Sequence, residues 1–179
     1  MQTRQQYVPF PALPQLLTAN INQESTDMDS LLTFLDGCSH QSAIITDVVY
    51  CVNDWNIGGV INLQHHGLVM TVHGQGYLTL DFGRHGLTWM LCDVFPAFPE
   101  GTCLVRGFEV QIDPAVVKDY CAKTKPFQWV GNNCKSWSKG MLEDMEIEEA
   151  SGRDMLEDGE TASFVEHQDH RLSRFVSCA

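Results

Sequence analysis

The chain has no Cys-x-x-Cys pair, and its seven cysteines, at positions 38, 51, 92, 103, 121, 134 and 178, are widely scattered and odd in number. Such spacing builds neither a disulfide framework nor a zinc ribbon. Basic residues are scarce too: 11 Lys and Arg stand against 23 Asp and Glu, a net charge of -12. Nucleic-acid binders and proteins that dock on anionic membranes need a basic face, so this balance argues against both. No uninterrupted apolar run approaches the ~18 residues of a membrane span. Met1 to Gln6 lead into a proline-bearing stretch without an apolar core, so no signal peptide is expected. Cys178 stands next to last, which is not a prenylation box. Internal repeats are absent. Together these point to a soluble protein of a reducing compartment, the cytoplasm or also the nucleus.

What remains is ordinary globular material. The hydrophobic fraction is 44% and the charged fraction 19% over 179 residues, enough for one domain with a real core. Residues 1–24 hold Pro9, Pro11 and Pro14 and read as an extended arm. From Glu143 to Glu160 there are nine acids and a single base, Arg153. Residues 146–179 are therefore expected to be an acidic, solvated tail, leaving 25–145 as the folded domain.

Within that domain the pattern is α+β, a small antiparallel sheet packed against helices. Ser25-Thr26-Asp27 can cap a helix carrying Met28, Leu31, Leu32 and Leu35. Residues 42–52 are β-rich and Asn53 to Asn56 break them. Arg84 to Pro99, with Trp89, Phe95 and Phe98 among glycines and prolines, reads as a loop. Cys103 to Val105 and Phe108 to Ile112 read as strand. Asp113-Pro114 starts a helix with Val116, Val117, Tyr120 and Cys121 on its buried stripe, ended by Lys125-Pro126.

Two stretches carry the chemistry. Ile61 to Val72 and Tyr77 to Phe82 form a hairpin about His73-Gly74-Gln75-Gly76. Centred on Gln75, it places Leu68, Met70 and Val72 with Leu78, Leu80 and Phe82 on one wholly apolar face. The other face then carries His65, Gly67, Val69 and Thr71 beside Thr79, Asp81, Gly83 and His85. A one-residue slip would mix the sets, so the pattern selects the pairing. His65 thus points with Asp81 and His85, and His66 with the core.

The second stretch is Asn133-Cys134-Lys135-Ser136-Trp137. Asn133 is a good N-cap, and Trp137, Met141, Leu142 and Met145 recur at helical spacing. Cys134 is then the first residue of a helix, at the positive end of its dipole, where a thiol loses its proton more readily. His167 and His170 have no accompanying cysteine or acid motif, and Cys38 with His40 is no stronger, so neither a metal nor a cofactor is expected.

Over about residues 58 to 145 the chain resembles the permuted branch of the NlpC-type papain-like thiol hydrolases, which includes the PPPDE isopeptidases and the lecithin:retinol acyltransferase-like enzymes. The resemblance rests on His65-His66-Gly67-Leu68-Val69-Met70, on Asn133-Cys134-Lys135-Ser136-Trp137, and on a strand, a helix and an aromatic link between them. Leu80-Asp81-Phe82-Gly83 looks more like the PPPDE proteins. The acyltransferases have a second histidine where this chain has Thr79, Leu80 and Asp81, and Lys135 stands where an acidic or amide residue is frequent. The resemblance implies a permuted papain-like fold and a Cys134 nucleophile with His65 as its base; His66 is the fallback. Asp81 is the first choice for the group that orients the imidazole, His85 the second. The oxyanion would meet the Cys134 N–H after the Asn133 cap, with Gln64 as a possible helper. The expected activity is that of a peptidase or isopeptidase on ubiquitin-like conjugates. The alternatives are an acyltransferase or phospholipase on lipid esters, and a non-catalytic interaction module.

Overall fold

The computed structural model describes residues 24–57, 61–98 and 101–156. Its architecture is α+β, a six-stranded antiparallel sheet with three helices. In chain order these are α1 (Met28–His40), β1 (Ile45–Ile57), β2 (Ile61–Val72), β3 (Gly76–Gly83), β4 (Gly86–Cys92), β5 (Thr102–Ile112), α2 (Pro114–Ala122), α3 (Cys134–Asp144) and β6 (Arg153–Asp154). The strands lie in the order β4-β3-β2-β1-β5-β6.

Helix starts follow the expected chemistry. Asp27 accepts from the backbone N–H groups of Asp29 and Ser30 to begin α1. Asp113 accepts from Ala115, with Pro114 in the first turn of α2. At α3, Asn133 accepts from the Ser136 N–H while the Ser136 hydroxyl accepts from the Asn133 N–H, a reciprocal capping box.

The hairpin has the expected faces but not the expected centre. Leu68 opposes Leu80, Met70 opposes Leu78 and Val72 opposes Gly76, so the turn is His73-Gly74-Gln75, centred on Gly74. Moving the centre by one residue shifts each partner by two, which preserves side-chain parity. Gly74 and Gly76 have φ of 74° and 119°, and a Cβ at Gly76 would meet the Cys92 carbonyl oxygen at 2.4 Å. Only glycine serves there.

The apolar face of the hairpin joins Val48, Tyr50 and Val52 of β1 and Leu87, Trp89 and Leu91 of β4. Leu31, Phe34 and Leu35 of α1, Val117 and Cys121 of α2, and Trp137, Met141 and Leu142 of α3 close over them. A second, smaller cluster lies across the sheet, with Val49, Cys51, Val69, Tyr77, Cys92, Val105 and Met155 buried and Met90, Phe95 and Phe98 packed on them.

Several expectations are corrected. Arg84 to Pro99 is not a loop throughout, because Gly86–Cys92 is strand, with Leu87, Trp89 and Leu91 buried on one face. Asn53 to Asn56 do not break β1, since they pair with His65 to Asn62 of β2. Asn53 accepts from the Thr102 hydroxyl at 2.5 Å, which lets a buried amide sit in a strand. β5 runs unbroken through Arg106 and Gly107. α2 stops at Ala122, ahead of Lys125-Pro126. The chain also stays folded past residue 145: Glu149–Ser151 form a 3-10 turn, β6 pairs with β5, and Met155 is buried against Gly107. The arm over residues 1–23 and the acidic run after 156 lie outside the described residues.

Trp89 ties β4 to α1 and to the cap of that helix. It is 1% exposed, stacks on Phe34 at 6.4 Å between centroids, and donates its indole N–H to the Asp27 carbonyl at 2.9 Å. Trp89→Ala is expected to lower unfolding stability by about 3–5 kcal/mol, measured by urea titration. A loss under about 1 kcal/mol would show that this segment is not part of the core.

Candidate active site

The helix α3 is held by Trp137, Met141 and Leu142, all buried, and its first residue is therefore fixed relative to the sheet. Trp137 stacks on Phe82 of β3 at 5.6 Å, donates its indole N–H to Thr124 at 3.0 Å, and has its carbonyl bonded by the Tyr120 hydroxyl at 2.8 Å. Pairing of β2 with β3 ends at Gly67 opposite Asp81. Beyond it β2 has no β3 partner, and the start of α3 takes that place. The Cys134 Sγ lies 3.7 Å from the Gln64 carbonyl oxygen, and it takes hydrogen bonds from the backbone N–H groups of His66 and Lys135 and from the His65 side chain.

His65 completes a chain of three polar groups. Its Nε2 is 2.5 Å from Asp81 Oδ1, which leaves Nδ1 as the ring nitrogen for the sulfur. Asp81 stands opposite Gly67, diagonal to His65, and the missing side chain at Gly67 keeps that diagonal open.

The electrostatics follow from these contacts. The Asp81 hydrogen bond, then that of Cys134, outweigh burial and push His65 up to about 10. Burial alone would raise the Cys134 thiol, but the hydrogen bonds from His65 and from the His66 and Lys135 N–H groups bring it below its ordinary value. The other described cysteines go the opposite way. Burial raises Cys38, Cys51 and Cys121 to about 12, and Cys92 and Cys103 are also raised. Cys134 is thus the one thiol among the described residues whose proton is held less tightly than usual, beside a histidine whose charged form is favoured.

The remaining sequence candidates sit as follows. His66 points into the core, 3% exposed, with its Nδ1 hydrogen-bonded to the Tyr50 hydroxyl at 2.5 Å. Burial, then the positive charges of Lys135, His65 and Lys139, lower it to about 4, so it is neutral and turned away from the sulfur. His85 lines the cleft but accepts from Arg84 Nε at 2.9 Å and does not orient His65. Gln64 lines it too, with its Nε2 committed to Asp54 at 3.2 Å. Asn133 caps α3 and also donates to the Trp129 carbonyl at 3.1 Å, fixing the loop before the cysteine.

These groups open into a cleft of about 740 Å³ with a largely apolar wall of Leu63, Phe82, Phe127 and Trp129. Trp129 is 70% exposed and meets Phe127 edge to face at 5.3 Å. The part played here by Arg84 and Trp129 escapes the sequence, because a turn cation and a link aromatic carry no signal without the cysteine helix placed beside them. No group of His, Cys, Asp and Glu suited to a metal ion occurs among the described residues; His167 and His170 lie outside them. Among the described residues no helix is long and apolar enough to cross a membrane.

Comparison with family models, with curated proteins and with solved structures found no match to the chain.

A titration tests the electrostatics. The His65 ring resonances should hold their protonated position until pH nears about 10, and Asp81→Asn should bring the midpoint down. Because the folded value lies above the ordinary 6.5, the His65 contribution to stability is complete below pH ~6.5 and is lost as pH rises through about 10. A midpoint near 6.5 in the unaltered protein would refute the pairing.

Proposed function

We propose that the protein is a cysteine-dependent hydrolase of acyl bonds, a peptidase or isopeptidase built as a permuted papain-like domain of the NlpC type. The observation that carries this reading is one sulfur at a helix start that receives His65 and two backbone N–H groups, with Asp81 bonded to the far side of the imidazole.

The steps follow from the geometry. The Cys134 thiolate attacks the carbonyl carbon and forms a C–S bond, and the carbonyl π electrons move to oxygen. The backbone N–H of Cys134, at the unpaired start of α3, is the donor for that oxyanion. As the tetrahedral species collapses, His65 gives its proton to the leaving amine and the C–N bond breaks. The neutral imidazole then takes a proton from water, whose oxygen attacks the thioester. The second collapse releases the acid and returns the thiolate and imidazolium. Asp81 holds the ring in one orientation and favours its charged form throughout.

A conjugate of a ubiquitin-like protein is the substrate class we assign. The isopeptide bond presents an extended tail to the cleft, and the resemblance of the His65 and Cys134 motifs to the PPPDE isopeptidases supports it. A lipid-ester acyltransferase reading has less support, since Asp81 rather than a second histidine faces His65.

Turnover of a ubiquitin-like protein carrying a C-terminal fluorogenic amide should vanish in Cys134→Ala. It should fall about 10²–10⁴-fold in His65→Ala, the range for losing a general base. Asp81→Asn should cost less than His65→Ala and narrow the pH range of activity. Activity that survives Cys134→Ala would end the proposal, and turnover of lipid esters alone would shift it to the acyltransferases.

A further inference from the structure

The protein carries a net charge of -12, yet its cleft is rimmed by cations. Arg84, at the β3–β4 turn, and Lys135, the second residue of α3, both line it and both are exposed. Neither has a carboxylate partner among the described residues. By contrast Lys118 pairs with Asp36, and Lys139 lies 2.6 Å from Glu149. Arg84 spends its Nε–H on His85 Nε2, while its terminal guanidinium nitrogens meet no carboxylate among the described residues. The carboxylates lining the same cleft are Asp81, which is held by His65, and Glu24, which reaches neither cation.

The same cleft carries the apolar wall of Phe127 and the exposed Trp129. A ligand that satisfies both features has an apolar side chain next to carboxylates. From this arrangement we infer that the cleft selects a polypeptide segment in which acidic residues lie next to an apolar or aromatic one, the acids engaging Arg84 and Lys135. The inference rests on the hydrolase reading for its purpose, though the binding it describes does not need the thiol to react. A polypeptide fits better than an anionic phospholipid. The overall negative charge repels an anionic bilayer, and the two cations border a concavity rather than a flat face.

Fluorescence anisotropy of two labelled peptides tests this, one with the core sequence Leu-Phe-Glu-Glu-Gly and the other with Leu-Phe-Gln-Gln-Gly. The acidic peptide should bind about tenfold more tightly, since two exposed ion pairs contribute roughly threefold each. That preference should shrink to near one in Arg84→Gln/Lys135→Gln and as salt rises toward 1 M, where the screening length is only about 3 Å. The acidic peptide should also slow iodoacetamide alkylation of Cys134, which locates it in the cleft. Equal binding of the two peptides, or a preference that persists in the double variant, overturns the inference. So does binding to phosphatidylglycerol vesicles in place of the acidic peptide. If the acidic peptide binds with its preference but Cys134 fails to alkylate below pH 8, the hydrolase reading fails and the recognition stands.

Discussion

The arrangement depends on where β3 stops pairing with β2. After Gly67 and Asp81 the two strands part, and the backbone of β2 at Gln64 and His66 turns an unpaired edge toward the helices. Unpaired peptide groups away from water are costly, so something must meet them. The start of α3 does so through the Cys134 sulfur, which takes the His66 N–H and faces the Gln64 carbonyl. The thiol is thereby set within reach of His65, the residue between those two peptide groups. Burial of Trp137, Met141 and Leu142 supplies the force that keeps it there.

Two adjacent histidines show how strand parity divides labour. His65 and His66 are chemically alike, but successive side chains leave a strand on opposite faces. His65 meets a carboxylate and a sulfur and is held charged; His66 meets the Tyr50 ring and hydroxyl and is held neutral. Their pKa values, about 10 and about 4, are pushed apart by environment alone. The neutral member still matters to its neighbour, because its backbone N–H supports the sulfur and its carbonyl is bonded by the Ser138 hydroxyl at 3.4 Å.

Where local chemistry was strong, the sequence was readable. Asn133, Asp113 and Asp27 cap the helices they were expected to cap, and alternation along Leu68 to Phe82 was enough to sort the two faces. That sorting placed His65 beside Asp81 even though the hairpin centre was off by one, because side-chain parity survives a two-residue shift of partner. What stayed hidden depends on tertiary partners. The alternation of Leu87, Trp89 and Leu91 was masked by glycines at its start and prolines beyond its end. Asn53 looks like a breaker until the Thr102 hydroxyl satisfies it. Acidic residues after Asp144 suggested solvent, yet Ile147 and Met155 find apolar neighbours. The different turn of His85 depends on Arg84 beside it, a contact no pattern encodes.

The two-residue strand β6 has a structural consequence of its own. It covers β5 only at Arg106 and Gly107, in the middle of that strand's outer border. Exposed borders of sheets template the addition of further chains, and a short charged strand laid across one interrupts the template. Arg153 and Asp154 therefore break that border midway, so that β5, 11 residues long, offers an added chain two short stretches instead of one continuous template.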